Sequence, residues 1–281
     1  MEQSIGIMRK ILIATDFSKN AAHAAQYAAR CFANESVHYH LVYVSDCHSK
    51  PGRKPPKLPC KGEKCASNRI KLQQFNVNFQ KHLDPKRHRA DVYFLDLPPV
   101  EALRKMVLEH DIELIVIGCC SEEKQPQLGR FAQDVIIRVQ CPFLIVPPKA
   151  NLEPTATLAF ATNYNNYYQS SVLNTLMGFA GTNALRLKVL HFSKNNPELN
   201  AIQLANREFL NEFIEDPEAF DEIHGGALYA ALDEYQQKHP IGVLGLLAKN
   251  RSFCEQLLFN PISNGHASVF ENQLPVLLLH E

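Results

Sequence analysis

The chain has 281 residues, of which 46% are apolar, enough for two packed domains of ordinary size. Its 29 basic residues balance its 29 acidic residues, so overall charge does not favour binding to nucleic acid or to anionic lipid. The first apolar run covers only Ile11–Ala14, and no run approaches the length of a membrane span. We therefore expect a cytoplasmic protein that makes no use of a membrane.

The first half alternates apolar runs with segments of helical spacing. Ile11–Ala14 is apolar throughout, which is typical of a strand buried on both faces of a parallel sheet. Segment 46–64 holds four prolines and six basic residues and is predicted to be a solvated loop. Strands are predicted at Ile11–Ala14, Val37–Val44, Ala90–Leu95, Ile112–Ile117 and Phe143–Val146, and helices at Ser18–Ala33, Arg69–Leu83, Pro99–His110 and Phe131–Val139.

The second half repeats the first. Lys10–Asp16 recurs in outline as Thr157–Asn163, Ile112–Gly118 as Ile241–Leu247, and Cys141–Pro147 as Leu274–His280. Strands are predicted at 157–162, 185–192, 219–224, 241–247 and 275–279, and helices at 166–180, 198–213, 226–238 and 263–271. The repeat predicts an α/β fold of two tandem, doubly wound, five-stranded parallel-sheet domains, residues 1–150 and 151–281, related by a pseudo-two-fold axis.

A ligand of a doubly wound sheet binds outside the carboxyl ends of the strands, where the strand order reverses. If the first and fourth strands are neighbours there, Asp16 and Gly118 face one crevice. The helix that follows would offer free backbone N–H groups and the positive end of its dipole to a phosphate. This arrangement is typical of a nucleotide site.

The sequence resembles the universal stress protein (UspA) family. The resemblance rests on Ile11–Ser18, Ile112–Gly118, Gly129 before a helix, and Cys141–Val146, and it extends over nearly the whole chain as two fused copies. It implies a Rossmann-type fold and a role in stress adaptation. It also implies that the two last strands pair edge to edge, so that the chain is a pseudo-dimer in itself, with a homodimer as a further possibility.

The resemblance implies a motif with which the first copy can be compared: ATP-binding members of the family carry Gly-x2-Gly-x9-Gly-Ser/Thr after the fourth strand. The first copy departs from this motif. Gly118 is kept, but Ser121 replaces the second glycine, and the spacer to Gly129 is two residues shorter. Arg130 stands at the hydroxyl position, where it could block the pocket or bind an anion itself. The added Cβ of Ser121 lies where phosphate should meet bare backbone.

The second copy departs further from this pattern. Asn163 replaces the aspartate at the strand end, and no glycine stands at Leu247–Ala248, where the loop should open. Only Ser263 resembles the hydroxyl position, and the apolar segment Asn250–Phe259 is interpreted as packing surface. Neither copy satisfies the motif, so the chain is similar to the members that do not bind ATP.

Our leading hypothesis is a regulatory stress-response module that binds a protein partner and has no enzymatic activity. The alternative is a switch that binds ATP or another adenine nucleotide in the first copy. Asp16 would then contact the nucleoside, although it could equally cap the following helix. The residues of this candidate crevice are Thr15, Asp16, Val44, Gly118, Ser121, Gly129 and Arg130.

Most of the eight cysteines are interpreted as free thiols in a reducing compartment. Cys47, His48, Cys60 and Cys65 could bind zinc, but their spacing fits no familiar zinc motif, and no metal site is predicted. Cys119 and Cys120 lie at the crevice and could be redox-active, but we prefer to interpret both as structural thiols. The twelve histidines are scattered, and no hydrolase motif accompanies them.

Overall fold

The computed structural model describes residues 8–45, 63–122, 125–152, 156–194, 198–259 and 269–281. The chain divides into two compact units. The first consists of Met1–Cys120 and Gly129–Pro148, and the second of Ser121–Leu128 and Lys149–Glu281. Among the described residues, no helix has both the length and the hydropathy needed to cross a bilayer.

The first unit is built on five parallel strands. They are β1 (Arg9–Ala14), β2 (Val37–Val44), β3 (His88–Leu95), β4 (Leu114–Gly118) and β7 (Phe143–Val146), and their order in the sheet is β7-β4-β1-β2-β3. The helices are α1 (Lys19–Cys31), α2 (Glu63–Gln80), α3 (Pro99–His110) and α4 (Arg130–Arg138), of which α1 contacts α2 and α3 contacts α4. A separate ribbon of β5 (Cys120–Glu122) and β6 (Gln125–Gln127) is formed mostly by residues that belong to the second unit.

The strands of the second unit are β8 (Thr157–Thr162), β9 (Arg186–Ser193), β10 (Phe220–His224), β11 (Ile241–Leu247) and β12 (Val276–Leu279). They have the corresponding order, β12-β11-β8-β9-β10, again with parallel pairing throughout. Its helices are α5 (Ser170–Thr182), α6 (Ala201–Ile214), α7 (Leu228–Lys238) and α8 (Arg251–Cys254), with a 3-10 turn at Pro217–Ala219 and a π-type turn at Glu255–Phe259.

The predicted fold class is confirmed, because each unit is a five-stranded parallel sheet whose order reverses beside its first strand. β1 lies between β2 and β4, and β8 lies between β9 and β11. The apolar strand residues are buried as expected: Ile11, Leu12 and Ile13 have no solvent exposure. Each sheet therefore has the reversal of strand order beside which ligands of doubly wound folds bind.

Helix α2 differs from its prediction at Arg69–Leu83, since it begins at Glu63 and ends at Gln80. Its buried residues Cys65, Leu72 and Phe79 are seven apart, two helical turns, and so line one face. Ile70, which the prediction counted among the core positions, lies on another face with 60% of its surface exposed. The loop predicted for 46–64 otherwise lies outside the described residues.

Helix α5 begins at Ser170, four residues later than predicted. The preceding turn is held by Tyr168, whose hydroxyl forms a hydrogen bond with the Thr162 hydroxyl in the interior. Helix α6 begins at Ala201 because Asn200 and Gln203 form a reciprocal capping box. Most of the helix predicted at 263–271 lies outside the described residues, and residues 269–271 form a turn.

Ser18 fixes the start of α1, since its hydroxyl oxygen accepts a hydrogen bond from the Ala21 N–H at 3.1 Å. We expect Ser18→Ala to lower the free energy of unfolding by about 1 kcal/mol, because that N–H loses its acceptor. Urea unfolding of the full chain measures the change. Ser171→Ala, on the exposed first turn of α5 where Ser171 provides no cap, is the matched control and should change stability by less than about 0.5 kcal/mol. Equal losses in the two variants would contradict the assignment.

Candidate functional site

The turn after β1 forms one wall of the predicted crevice. Thr15 is buried, and its hydroxyl oxygen accepts a hydrogen bond from the Phe17 N–H at 3.0 Å. The Asp16 carboxylate is exposed and accepts a bond from the Ser18 N–H at 2.9 Å. Ser18, rather than Asp16, therefore caps α1, and Asp16 stabilises the turn that leads into the helix.

Phe17 packs against aromatic side chains near the ends of β2 and β3. It has a left-handed backbone (φ 68°) and stacks on Tyr43, with ring centroids 4.7 Å apart. Tyr43 in turn contacts Phe94, and the Arg69 guanidinium lies 4.1 Å from the centre of the Phe94 ring. The Asn68 amide donates a hydrogen bond to the Tyr43 hydroxyl at 2.8 Å. Side chains of the protein thus cover the ends of these strands, beside the half-buried Val44.

Gly118 lies at the end of β4, where the first turn of α1 approaches the strand. A Cβ on Gly118 would lie 2.8 Å from the backbone oxygen of Asn20, closer than atoms can pack. The Asn20 side-chain amide also donates a hydrogen bond to the Cys119 carbonyl at 2.9 Å. The packing of α1 against β4 is therefore enough to require glycine here, without a phosphate.

Gly129 and Arg130 stand at the start of α4. Gly129 is the N-cap with φ −66°, a backbone conformation that any residue can adopt. The Arg130 side chain is exposed. The segment between Gly118 and Gly129 contains the short strands β5 and β6. Of Ser121, only the backbone within β5 is described.

The second unit builds the same turn from different residues. The Thr162 hydroxyl oxygen accepts a bond from the Tyr164 N–H at 3.0 Å, and the Asn163 side chain accepts one from the Asn165 N–H at 3.2 Å. Tyr164 is also left-handed (φ 57°) and stacks on His191 at 4.5 Å. The repeat detected in the sequence thus extends to the hydrogen bonds of the turn.

Side chains from α6 and from the turn after β11 contact this second turn. The buried Asn206 donates to the Tyr164 carbonyl at 2.7 Å. Gln203 donates to the Asn163 carbonyl at 3.0 Å, and Asn250 to the Asn163 side chain at 3.4 Å. Residues 250–259 form α8 and the π-type turn and bury Phe253, Cys254, Leu257 and Leu258. The interpretation of this segment as packing surface is confirmed.

The structure pairs a serine with a histidine that sequence reasoning did not connect. Ser193 at the end of β9 and His224 at the end of β10 form a hydrogen bond of 2.8 Å between Oγ and Nδ1. Ser193 and His224 are partners in the parallel register of β9 and β10, so aligning the ends of these two predicted strands could have suggested the pair. Glu222 lies 3.6 Å from Nε2 of His224, too far for a hydrogen bond, and Ser193 is buried. The group therefore lacks the geometry of a nucleophilic triad.

A groove of about 530 Å³ opens between α1 and α2, and Asp16 stands at its end. Of the seven predicted site residues, only Asp16 lines this groove. Its cationic side chains are Lys19 and Lys71, and its floor includes Phe75 and Phe79. The structure thus places open volume beside Asp16 on the helical face.

Four cysteines, Cys31, Cys119, Cys141 and Cys254, are buried free thiols, as predicted. Burial raises the pKa of Cys141 and of Cys254 to about 12, which makes both poor nucleophiles. Cys119 is 1% exposed, a setting that does not favour a redox role, and the Cys120 side chain lies outside the described residues.

Of the four residues considered as zinc ligands, only one is among the described residues. Cys47, His48 and Cys60 lie outside the described residues, and Cys65 is disulfide-bonded. A thiol in a disulfide is not a zinc ligand. Within the described ranges, no group of three or more His, Cys, Asp or Glu residues is arranged to hold a metal ion.

Residues 8–147 match the model of the universal stress protein family. The chain belongs to the universal stress protein family. Over its whole length it has the fold of a universal stress protein from Archaeoglobus fulgidus, at 15% identity and a TM-score of 0.69, covering 96% of this chain and 98% of that one. A protein of Pseudomonas aeruginosa assigned to the same family matches at 16% identity and a TM-score of 0.56, covering 97% and 93%. No curated protein sequence matches the chain.

In this universal stress protein, we expect Gly118→Ala to destabilise the first unit by about 1–3 kcal/mol, because backbone atoms of Asn20 must move to admit the methyl group. Gly178→Ala is the matched control: it lies inside α5 with no atom within 4 Å of the added Cβ. It should raise stability by about 0.5–1 kcal/mol. Urea unfolding of both variants measures the difference. A neutral Gly118→Ala would mean that the contact with α1 does not require glycine.

Proposed function

We propose that this universal stress protein acts in the cytoplasm as a regulatory module of the stress response, binds a protein partner, and does not hydrolyse ATP. The observation that carries the proposal is the Phe17–Tyr43 stack, at 4.7 Å, over the strand ends of the first unit. A nucleotide base at that position would have to displace one of these rings. The cost of exposing them again would weaken nucleotide binding.

The phosphate side of the crevice supports the same proposal. A phosphate cradle needs several backbone N–H groups that point at one position without Cβ atoms in the way. Gly118 is occupied by its contact with Asn20, and Ser121 adds a Cβ at the next motif position. The N–H groups at the start of α4 follow Gly129, but Arg130, which has no hydroxyl, stands at the position where the pattern has Ser or Thr.

The second unit contributes a further argument. Tyr164, Asn206 and Asn250 are buried and bonded to one another or to Asn163 at the end of β8. Placing a ligand there would leave these amides without partners, at a cost of about 1–3 kcal/mol for each. A unit of this kind is better suited to presenting its outer surface to a partner.

An adenine-nucleotide switch in the first unit is the second candidate. The groove between α1 and α2 favours it, since its volume of about 530 Å³ lies beside Asp16 and its rim includes Lys19 and Lys71. These lysines could contact phosphates, and Phe75 could contact a base. Such a ligand would lie along the helices and need not displace Phe17 from Tyr43.

Calorimetric titration of the full chain with ATP and magnesium separates the two candidates. We expect no saturable binding up to about 1 mM ATP, which corresponds to less than about 4 kcal/mol of binding free energy. We also expect phosphate to be released no faster than by the hydrolysis of ATP in buffer without protein. Release that scales with protein concentration would refute the absence of ATPase activity.

Two variants assign any binding that does occur. Asp16→Ala removes the carboxylate of the first unit, and Asn163→Ala changes the corresponding position of the second unit. Saturable micromolar binding that Asp16→Ala weakens and Asn163→Ala leaves unchanged would establish the nucleotide switch and reject the leading proposal. Lys71→Glu would then show whether the groove between α1 and α2 is the site.

A further inference from the structure

His38 and His40, two residues apart in β2, meet the distant His110 on one face of the first sheet. The ring of His40, in β2, lies with its centroid 4.2 Å from that of His38 and 4.9 Å from that of His110, the last residue of α3. Tyr93 of β3 completes the group, 5.3 Å from His40 and 4.9 Å from His110. This three-histidine cluster joins the last turn of α3 to β2 and β3.

His40 is the buried member of the cluster, with 2% of its surface exposed. Neither of its ring nitrogens has a hydrogen-bond partner among the described residues. Burial, followed by the charges of His38 and His110, lowers the pKa of His40 to about 4. The folded unit therefore holds His40 in its neutral form near pH 7.

The surrounding charges compensate a proton on His40 only in part. The Asp91 carboxylate of β3 favours that proton, but its effect is smaller than that of burial, and it bonds His38 at 2.8 Å. From β1, Lys10 adds a positive charge and pairs with Asp111, just after α3, at 2.9 Å. Glu113, before β4, accepts a bond from the Lys10 backbone N–H. The groups that face the cluster are Lys10, His38, Asp91, Tyr93, His110, Asp111 and Glu113.

We propose that the three-histidine cluster is an acid-responsive latch, in which protonation of His40 releases the last turn of α3 from the face of β2 and β3. A proton on His40 places a positive charge in the interior, beside the rings of His38 and His110. Movement of α3 exposes the ring to water and separates His110 from it. The sheet itself stays paired, because backbone hydrogen bonds join β2 to β1 and β3 whether or not α3 contacts them.

The sign of the effect follows from proton linkage. Because the pKa of His40 is lower in the folded unit than its ordinary value of 6.5, the closed state binds fewer protons than the open state. The latch is most stable above pH 6.5 and loses stability as the pH falls towards 4. The equilibrium constant for opening should rise roughly 30-fold by pH 5 and at most about 300-fold below pH 4.

Hydrogen exchange of the full chain at pH 7.5 and pH 5.0, corrected for the intrinsic effect of pH, tests the latch. In the wild type, opening of residues 104–112 should rise about 30-fold relative to α1 in the same unit. In His40→Phe, which keeps an aromatic ring and cannot be protonated, this rise should fall below about 3-fold. His82→Phe, an exposed histidine after α2, is the matched control and should respond like the wild type.

NMR titration of the wild-type histidine rings keeps the proposal falsifiable if His40→Phe fails to fold. The His40 ring should titrate with a midpoint near pH 4, and His110→Gln should raise that midpoint because it removes a neighbouring positive charge. A His40 midpoint at or above 6.5 would overturn the latch. Protection of α3 that does not change between pH 7.5 and 5.0, or that falls equally in His40→Phe, would overturn it as well.

Discussion

A threonine hydroxyl at the end of the first strand accepts a hydrogen bond from the backbone N–H two residues later, and this bond sets how the chain leaves each sheet. Thr15 does this for Phe17, and Thr162 for Tyr164. The intervening aromatic residue must adopt a left-handed backbone, which costs ~1–2 kcal/mol for a residue with a Cβ. Stacking of Phe17 on Tyr43 and of Tyr164 on His191 offsets part of that cost.

The direction of this turn determines what lies over the carboxyl ends of the strands, where a doubly wound fold binds its ligands. In the first unit the residues there are aromatic side chains, including Phe94, and the Arg69 guanidinium that packs on the Phe94 ring. In the second unit, polar residues hold the turn, chiefly the buried Asn206. Two sheets with the same strand order thus have different side chains at their strand ends.

The architecture followed from the sequence because buried parallel strands are apolar at every position and because three such runs recur in order. Val37–Val44 and Ile241–Leu247 were placed to the residue. The repeat also located Thr15, Asp16 and Gly118 at the reversal point of the sheet. Helix ends were harder to predict. The start of α5 depends on the hydrogen bond between Tyr168 and Thr162, and the apolar residues of α2 are spread around the helix, so its sequence did not reveal which face is buried. The reason for Gly118 and the meeting of His38, His40 and His110 depend on tertiary contacts, and no local pattern encodes them.

Duplication of the threonine turn has a consequence for the way substitutions can be interpreted. One molecule contains two versions of the same backbone feature, one with Asp16 and Phe17 and the other with Asn163 and Tyr164. Exchanging residues between the two positions compares each side chain in both surroundings at the same temperature, ionic strength and protein concentration. Each turn therefore serves as the internal control for the other. The effect of the surroundings on stability can be separated from the effect of the residue itself.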